Sequence, residues 1–184
     1  MKKRLYLCRH GQTVFNTQGI AQGRVDSPLT ELGIMQANNA KKYFEENHIK
    51  YEEIYTSPLG RARQTCKIIT GKDGVLLDGI IEVNFGILDG QSYLLCKQYH
   101  DDFTSIGGES KDIAGQRMMD CLTKIMEEAT GDVLALSHAT VGRCFYYKVV
   151  GHYDPDFRMP NCGISIYDFE DGKFTFIDLV DPNA

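Results

Sequence analysis

Hydrophobic and polar positions divide this chain into short apolar runs and longer stretches of helical period. Leu5–Cys8 is an apolar run that follows a cluster of charges, and it predicts a buried first strand. From Thr30 to Asn47 the pattern turns helical, with Ile34, Ala37, Ala40 and Phe44 on one face. Glu53–Thr56 predicts a short strand. Ser57-Pro58 then offers an N-cap and a proline at the first helical position. The helix they open turns Ala62, Cys66 and Ile69 inward and ends near Gly71. Leu76–Ile81 predicts a further strand, whereas Glu82 to Gly108 has no period and reads as loops with one short helix. Ser110–Ala129 is the most periodic segment, with Ala114, Met118, Cys121, Leu122, Ile125 and Ala129 on one stripe. Met118, Met119 and Met126 belong to that core helix. Asp132–Leu136 follows as a strand and Thr140–Val150 as a helix. Ile164–Phe169 and Phe174–Leu179 flank Asp171-Gly172, a hairpin signal.

Strands that alternate with helices predict a three-layer α/β/α sandwich. The sheet is expected to be mostly parallel, with one antiparallel edge strand. Nothing in the pattern marks a linker or repeat, so residues 1–184 are read as a single domain. At 184 residues and 42% hydrophobic content, the chain can bury a sizeable core.

Charge narrows the partners. A formal net charge of −5 argues against broad nucleic-acid binding. No apolar run approaches the roughly 20 residues that cross a bilayer, so no membrane partner is expected. The six cysteines are scattered, with no C-x-x-C pair, and the short apolar run after the basic start is not expected to be a signal peptide. A reduced, cytoplasmic protein is the expectation; a homo-oligomer stays open.

Ligands of open α/β sheets bind beyond the carboxyl ends of the strands. The first strand ends at Arg9-His10. The second ends at Ser57, with Arg61 in the helix that follows. The third predicted strand ends at Glu82, and the fourth at Ser137-His138. Two histidines, two arginines and a carboxylate thus share one rim, and helix N-termini near Pro58 and Thr140 should point amide donors there. That set suits phosphoryl transfer. Arginine forks bind a dianionic phosphate, a neutral imidazole can attack phosphorus, and a buried carboxyl can protonate a leaving alkoxide and then deprotonate water. His48, His100 and His152 have no partners at metal-ligand spacing. No P-loop, Rossmann fingerprint, G-x-S-x-G elbow or H-E-x-x-H motif is present.

Six ordered blocks carry a resemblance. They are Arg9-His10-Gly11-Gln12-Thr13 with Asn16; Gln22-Gly23 with Asp26-Ser27-Pro28-Leu29-Thr30 and Leu32-Gly33; Ser57-Pro58-Leu59-Gly60-Arg61-Ala62-Arg63-Gln64-Thr65; Glu82 with Gly86 and Asp89-Gly90; Gly107-Gly108-Glu109-Ser110; and Ser137-His138. Together they resemble the phosphoglycerate mutase-like branch of the histidine phosphatase superfamily, from about Leu5 to about Gly142. The resemblance implies a phosphoglycerate mutase-like fold and chemistry without metal or organic cofactor. It implies His10 as the phosphorylated nucleophile and Glu82 as acid and base. Arg9, Arg61 and His138 would hold the phosphoryl oxygens. Thr13, Asn16, Gln22 and Gly23 would bind the substrate, together with the backbone amide of Ala139. Ala139 stands where that branch usually has Gly, and Asp89 where Glu is common. Glu109, Ser110 and the loops after Glu82 would touch the leaving group.

The expectation is a phosphomonoesterase for a small phosphorylated metabolite, working through a phosphohistidine. A cofactor-dependent phosphoglycerate mutase is the first alternative. Residues 83–137, only 55 positions, separate Glu82 from His138. Mutases of the family carry a longer insertion there, so hydrolysis is preferred. A non-catalytic phospho-ligand binder and a protein phosphatase are the remaining alternatives.

Overall fold

The structure, a computed structural model, describes residues 1–184. In chain order it contains β1 (Lys3–Arg9), α1 (Val14–Thr17), α2 (Glu31–Glu46), β2 (Glu53–Thr56), α3 (Gly60–Thr70), β3 (Val75–Leu76), α4 (Tyr93–Cys96), α5 (Lys111–Glu128), β4 (Val133–Ser137), α6 (Ala139–Val150), β5 (Ile164–Glu170) and β6 (Lys173–Val180). The strands form one sheet in the order β3-β2-β4-β1-β5-β6. From β3 to β1 every pairing is parallel, whereas β5 runs antiparallel to both β1 and β6. The sheet is therefore mostly parallel with an antiparallel edge pair, as expected; the reversed strand stands one place in from the edge.

Period-two alternation sorts the core into two layers. Leu5, Leu7, Val133, Ala135, Tyr167 and Phe169 face one side, where α5 and α6 pack with Ala114, Met118, Leu122 and Phe145. Tyr6, Cys8, Leu134, Leu136, Ile164 and Ile166 face the other, against Ala37, Ala40 and Phe44 of α2 and Cys66 and Ile69 of α3. Both faces of β4 are covered, which accounts for its unbroken buried run Val133–Ser137. Ile34, expected on the inner face of α2, is 39% exposed. Gly33 takes that stripe instead, because the helix start lies against Gly11 and Gln12 at backbone distance. A Cβ on Gly33 would overlap the Gln12 carbonyl, and one on Gly11 the Gly33 carbonyl. The Asp171-Gly172 turn has both residues at positive φ (50° and 75°), the geometry of a tight hairpin between β5 and β6.

Two predicted elements differ. Leu76–Ile81 is not a strand: β3 stops at Leu76, and Asp78–Ile80 forms a 3₁₀ turn. Ile80 is apolar because it enters the core beside α5. Arg117 of α5 donates to the Gly79 and Ile81 carbonyls at 2.8 and 3.1 Å, supplying the bonds a neighbouring strand would have made. Ser57 is not the cap of α3 either. Leu59 occupies the cap position without a side-chain bond, and Asp26 supplies the acceptors, taking the Gly60 and Arg61 amides. No helix is long and apolar enough to cross a membrane.

Leu122 is fully buried between α5 and the sheet. Leu122→Ala should cost about 2–5 kcal/mol, read as a lowered urea midpoint at unchanged slope.

Candidate active site

The register of the sheet assembles the site. Arg9 pairs with Ser137 across the β1–β4 ladder, and the His10 amide donates to the Ser137 carbonyl at 3.1 Å. The next residues on the two strands are therefore neighbours: the His10 and His138 rings lie 5.3 Å apart between centroids, inclined at 59°. On the far side of β4, the Ser57 amide donates to the Leu136 carbonyl, which brings Ser57 within 2.7 Å (Oγ to Nε2) of His138. That contact explains why Ser57 does not cap α3. Its hydroxyl also accepts from the Leu59 amide at 3.4 Å. The hydroxyl and Nε2 of His138 share the 2.7 Å bond, and Nδ1 of His138 is buried with no protein partner.

The tautomer of His10 follows from one bond. Nδ1 lies 2.8 Å from the Gly11 carbonyl, which can only accept, so Nδ1 carries the proton and Nε2 keeps its lone pair. Burial pushes the His10 pKa well below 6.5, and the charges of Arg61 and Arg9 push it the same way. His138 is lowered well below 6.5 for the same reasons, with burial first and Arg61 next. Both rings are neutral at neutral pH.

Arg61 is 1% exposed. It donates to the Gly23 carbonyl at 2.9 Å, the Val25 carbonyl at 2.8 Å and Asp26 at 3.0 Å. Its fork is thereby fixed by the loop before α2. Gly23 has φ +50°, and a Cβ there would overlap the Asp89 carboxylate, so the loop closes only with glycine. Arg9 donates to the Met159 carbonyl at 2.7 Å and has no carboxylate partner.

Glu82 follows the 3₁₀ turn that replaces the expected strand. Ser137 Oγ donates to the Ile80 carbonyl at 2.7 Å and ties that turn to the end of β4. The Glu82 carboxylate accepts from the amides of Val83 (2.9 Å), Val141 (2.8 Å) and Thr140 (3.2 Å). Two of these are N-terminal amides of α6, so the acid itself caps that helix. Oε1 takes the two shorter contacts and Oε2 only the longest.

Arg9, His10, Asn16, Gln22, Gly23, Arg61, Glu82 and Ala139 line one cavity of about 310 Å³. His138 lies directly behind His10, fully buried. Asn16 Oδ1 accepts from the Thr13 and Asn161 nitrogens, so its two amide protons remain for a ligand. Buried Gln22 Oε1 has no partner.

Three expectations are corrected. Thr13 does not reach the cavity: it is fully buried and forms the capping box of α1 with Asn16, which positions Asn16 rather than a ligand. The N-terminus of α3 is closed by Asp26, so it offers no amides near Pro58. Glu109 and Ser110 do not line the cavity. Glu109 is held by Arg117, Arg24 and the Asn84 amide, and Ser110 caps α5. The cavity also has walls that sequence reasoning missed: Ile20, Phe85, Tyr93, Arg143, Phe157, Arg158 and Met159. Only Arg143 carried a signal, five positions after His138 and one helical turn from Ala139. Among side chains, no three His, Cys, Asp or Glu groups converge as metal ligands.

An Arg-His pair closing the first strand of such a sheet, with a second arginine, an acid and a second histidine around it, defines a class: phosphatases and mutases of phosphoglycerate mutase-like fold. The chain belongs to the histidine phosphatase superfamily, branch 1, whose family pattern matches residues 5–182. It is 30% identical to the "probable phosphoglycerate mutase GpmB" of Yersinia pestis (strain Pestoides F), over 92% of this chain and 86% of that protein. Among solved structures, phosphoserine phosphatase from Entamoeba histolytica in complex with 3-phosphoglyceric acid superposes with a TM-score of 0.83 at 26% identity, covering 96% of this chain and 95% of the other. Phosphoglycerate mutase from Bacillus anthracis shares the fold, with a TM-score of 0.85 at 23% identity over 96% and 92%.

Two outcomes are expected. Because both histidines stay neutral in the folded protein, stability should fall as pH drops below about 6.5, where the unfolded chain takes up protons that the native chain refuses. One pH unit lower, the loss reaches up to about 1.4 kcal/mol per histidine. Urea titrations at pH 7.5 and 5.5 measure it; an unchanged midpoint contradicts it. Asp26→Ala removes the α3 cap, costing about 1 kcal/mol. It also frees Arg61, which should lower kcat/KM on the order of 10²-fold.

Proposed function

We propose that this protein is a phosphomonoesterase that hydrolyses a small phosphorylated metabolite through a phosphohistidine at His10. One observation carries the reading: the Gly11 carbonyl fixes the proton on Nδ1, so the free lone pair is on Nε2, in a cavity shared with Arg9 and Arg61. Arg9, Arg61, His138 and the Ala139 amide would bind the three phosphoryl oxygens. Nε2 attacks phosphorus as the ester P–O bond breaks. The electron pair leaves with the ester oxygen, which takes a proton from Glu82. A water then gives its proton to Glu82 and attacks phosphorus. The P–N bond breaks, inorganic phosphate departs, and His10 returns to its neutral form. No step requires a metal.

Hydrolysis is favoured over mutase chemistry by the short span between Glu82 and His138. Before α5 that span holds only short turns and the four-residue α4, and so small a cover would leave a phosphohistidine accessible to water. The cavity lies at the small end of ligand pockets, suiting a metabolite rather than a folded phosphoprotein. A cytoplasmic location belongs to the same proposal.

His10→Ala should abolish turnover of para-nitrophenyl phosphate, and activity near wild type removes the nucleophile from the scheme. Glu82→Gln should slow alkyl phosphates far more than aryl phosphates, which leave without a proton; equal losses remove its acid role. A chelator should leave the rate unchanged, and inactivation rescued by added metal overturns the metal-free scheme. Supplied with 3-phosphoglycerate and a trace of its bisphosphate, the enzyme should release inorganic phosphate. Isomer without phosphate release would instead establish the mutase.

A further inference from the structure

The chain has eight arginines. Four have carboxylate partners: Arg4 with Asp168, Arg24 and Arg117 with Glu109, and Arg61 with Asp26. Arg63 is exposed on α3. The other three, Arg9, Arg143 and Arg158, line the same cavity, and none of them is in an ion pair. Arg9 belongs to the phosphoryl pocket. Arg143 projects from α6 one turn after Ala139 and is half-buried, with no hydrogen bond to the protein. Arg158 is exposed at the cavity mouth, and its only bond is to the neighbouring Phe157 carbonyl. The one acid lining the cavity, Glu82, is occupied by three backbone amides and does not neutralise them. Two guanidinium forks thus face the space where the leaving group must sit, beside the apolar walls of Phe85, Phe157 and Met159.

We infer that Arg143 and Arg158 are specificity residues that recognise a second anionic group, a carboxylate or a second phosphate, on the alcohol portion of the substrate. The inference rests on the phosphatase reading above and deepens it. A planar fork with no carboxylate partner gains a charge-assisted pair from such a group. An ester lacking the anion forgoes those pairs, so the site should favour its anion-bearing counterpart.

The test compares matched esters: 3-phosphoglycerate against glycerol 3-phosphate, and fructose 1,6-bisphosphate against fructose 1-phosphate. Wild type should prefer one of the anion-bearing esters by at least about tenfold in kcat/KM, mainly through KM. The pair showing the preference tells carboxylate from phosphate. In Arg143→Gln/Arg158→Gln that preference should collapse to within about twofold, whatever the variant does to either rate alone. Preference below twofold for both pairs in wild type overturns the proposal, as does a preference that the double variant retains. Calorimetry on His10→Ala reads the same claim without turnover: 3-phosphoglycerate or the bisphosphate should bind at least about tenfold more tightly than its partner ester. Equal binding in both pairs also overturns it. Failure of wild type to release phosphate from any ester, with that binding preference intact, would sink the phosphatase reading and leave the anion site standing.

Discussion

Positive charge held at one sheet rim, with too little negative charge beside it, is the constraint on which the site depends. Arg61 shares Asp26, Arg9 has only a carbonyl, and Glu82 is committed to backbone amides. The unbalanced charge, added to burial, keeps His10 and His138 neutral. It also makes the cavity a sink for an anion. On the proposed reading, a neutral nucleophile and a dianionic substrate would be served by the same pair of guanidiniums. The cost falls on the native state, which holds buried polar nitrogens without partners at Arg9 Nε, Arg61 Nε and His138 Nδ1. On the proposed reading, a bound phosphoryl group would relieve part of it.

The backbone is arranged to hold that charge in place. Parallel pairing of β1 with β4 sets His10 beside His138, and pairing of β4 with β2 sets Ser57 against His138. The close approach of Gly11 to Gly33 lets the loop after His10 turn over the start of α2. Asp26 closes α3 and grips Arg61 with one carboxylate, so helix stability and guanidinium placement are coupled. These contacts hold in place the side chains proposed to bind the phosphoryl group.

Much of this was legible in the sequence, and the failures share a cause. Buried runs such as Leu5–Cys8 and Val133–Leu136, and stripes such as that of Ser110–Ala129, declare themselves through period alone. So did Arg9, His10 and His138 at strand ends and Arg61 in the first turn of the helix after one, because strand ends can be placed without knowing side-chain partners. Glu82 was placed at the right rim by the wrong element: the apolar pair Ile80-Ile81 looked like a strand, while its hydrogen bonds come from Arg117, 36 or more positions away. Ser57 looked like a cap because local rules do not show His138 81 positions later. Thr13 and Glu109 sat in motif blocks, yet they position Asn16 and the Arg24–Arg117 cluster rather than a ligand. Arg158, Tyr93 and Phe157 lie on irregular or very short segments, where no period marks a face.

The central claim is that Nε2 of His10 takes the phosphoryl group. Its most direct measurement is a single-turnover experiment with excess wild-type protein and para-nitrophenyl phosphate, quenched in base over a time series and mapped by mass spectrometry. The account predicts a phosphoryl group on the peptide bearing His10, formed before inorganic phosphate and decaying as phosphate is released. Phosphate release with that peptide unmodified at every time, or with the label on His138, would contradict it.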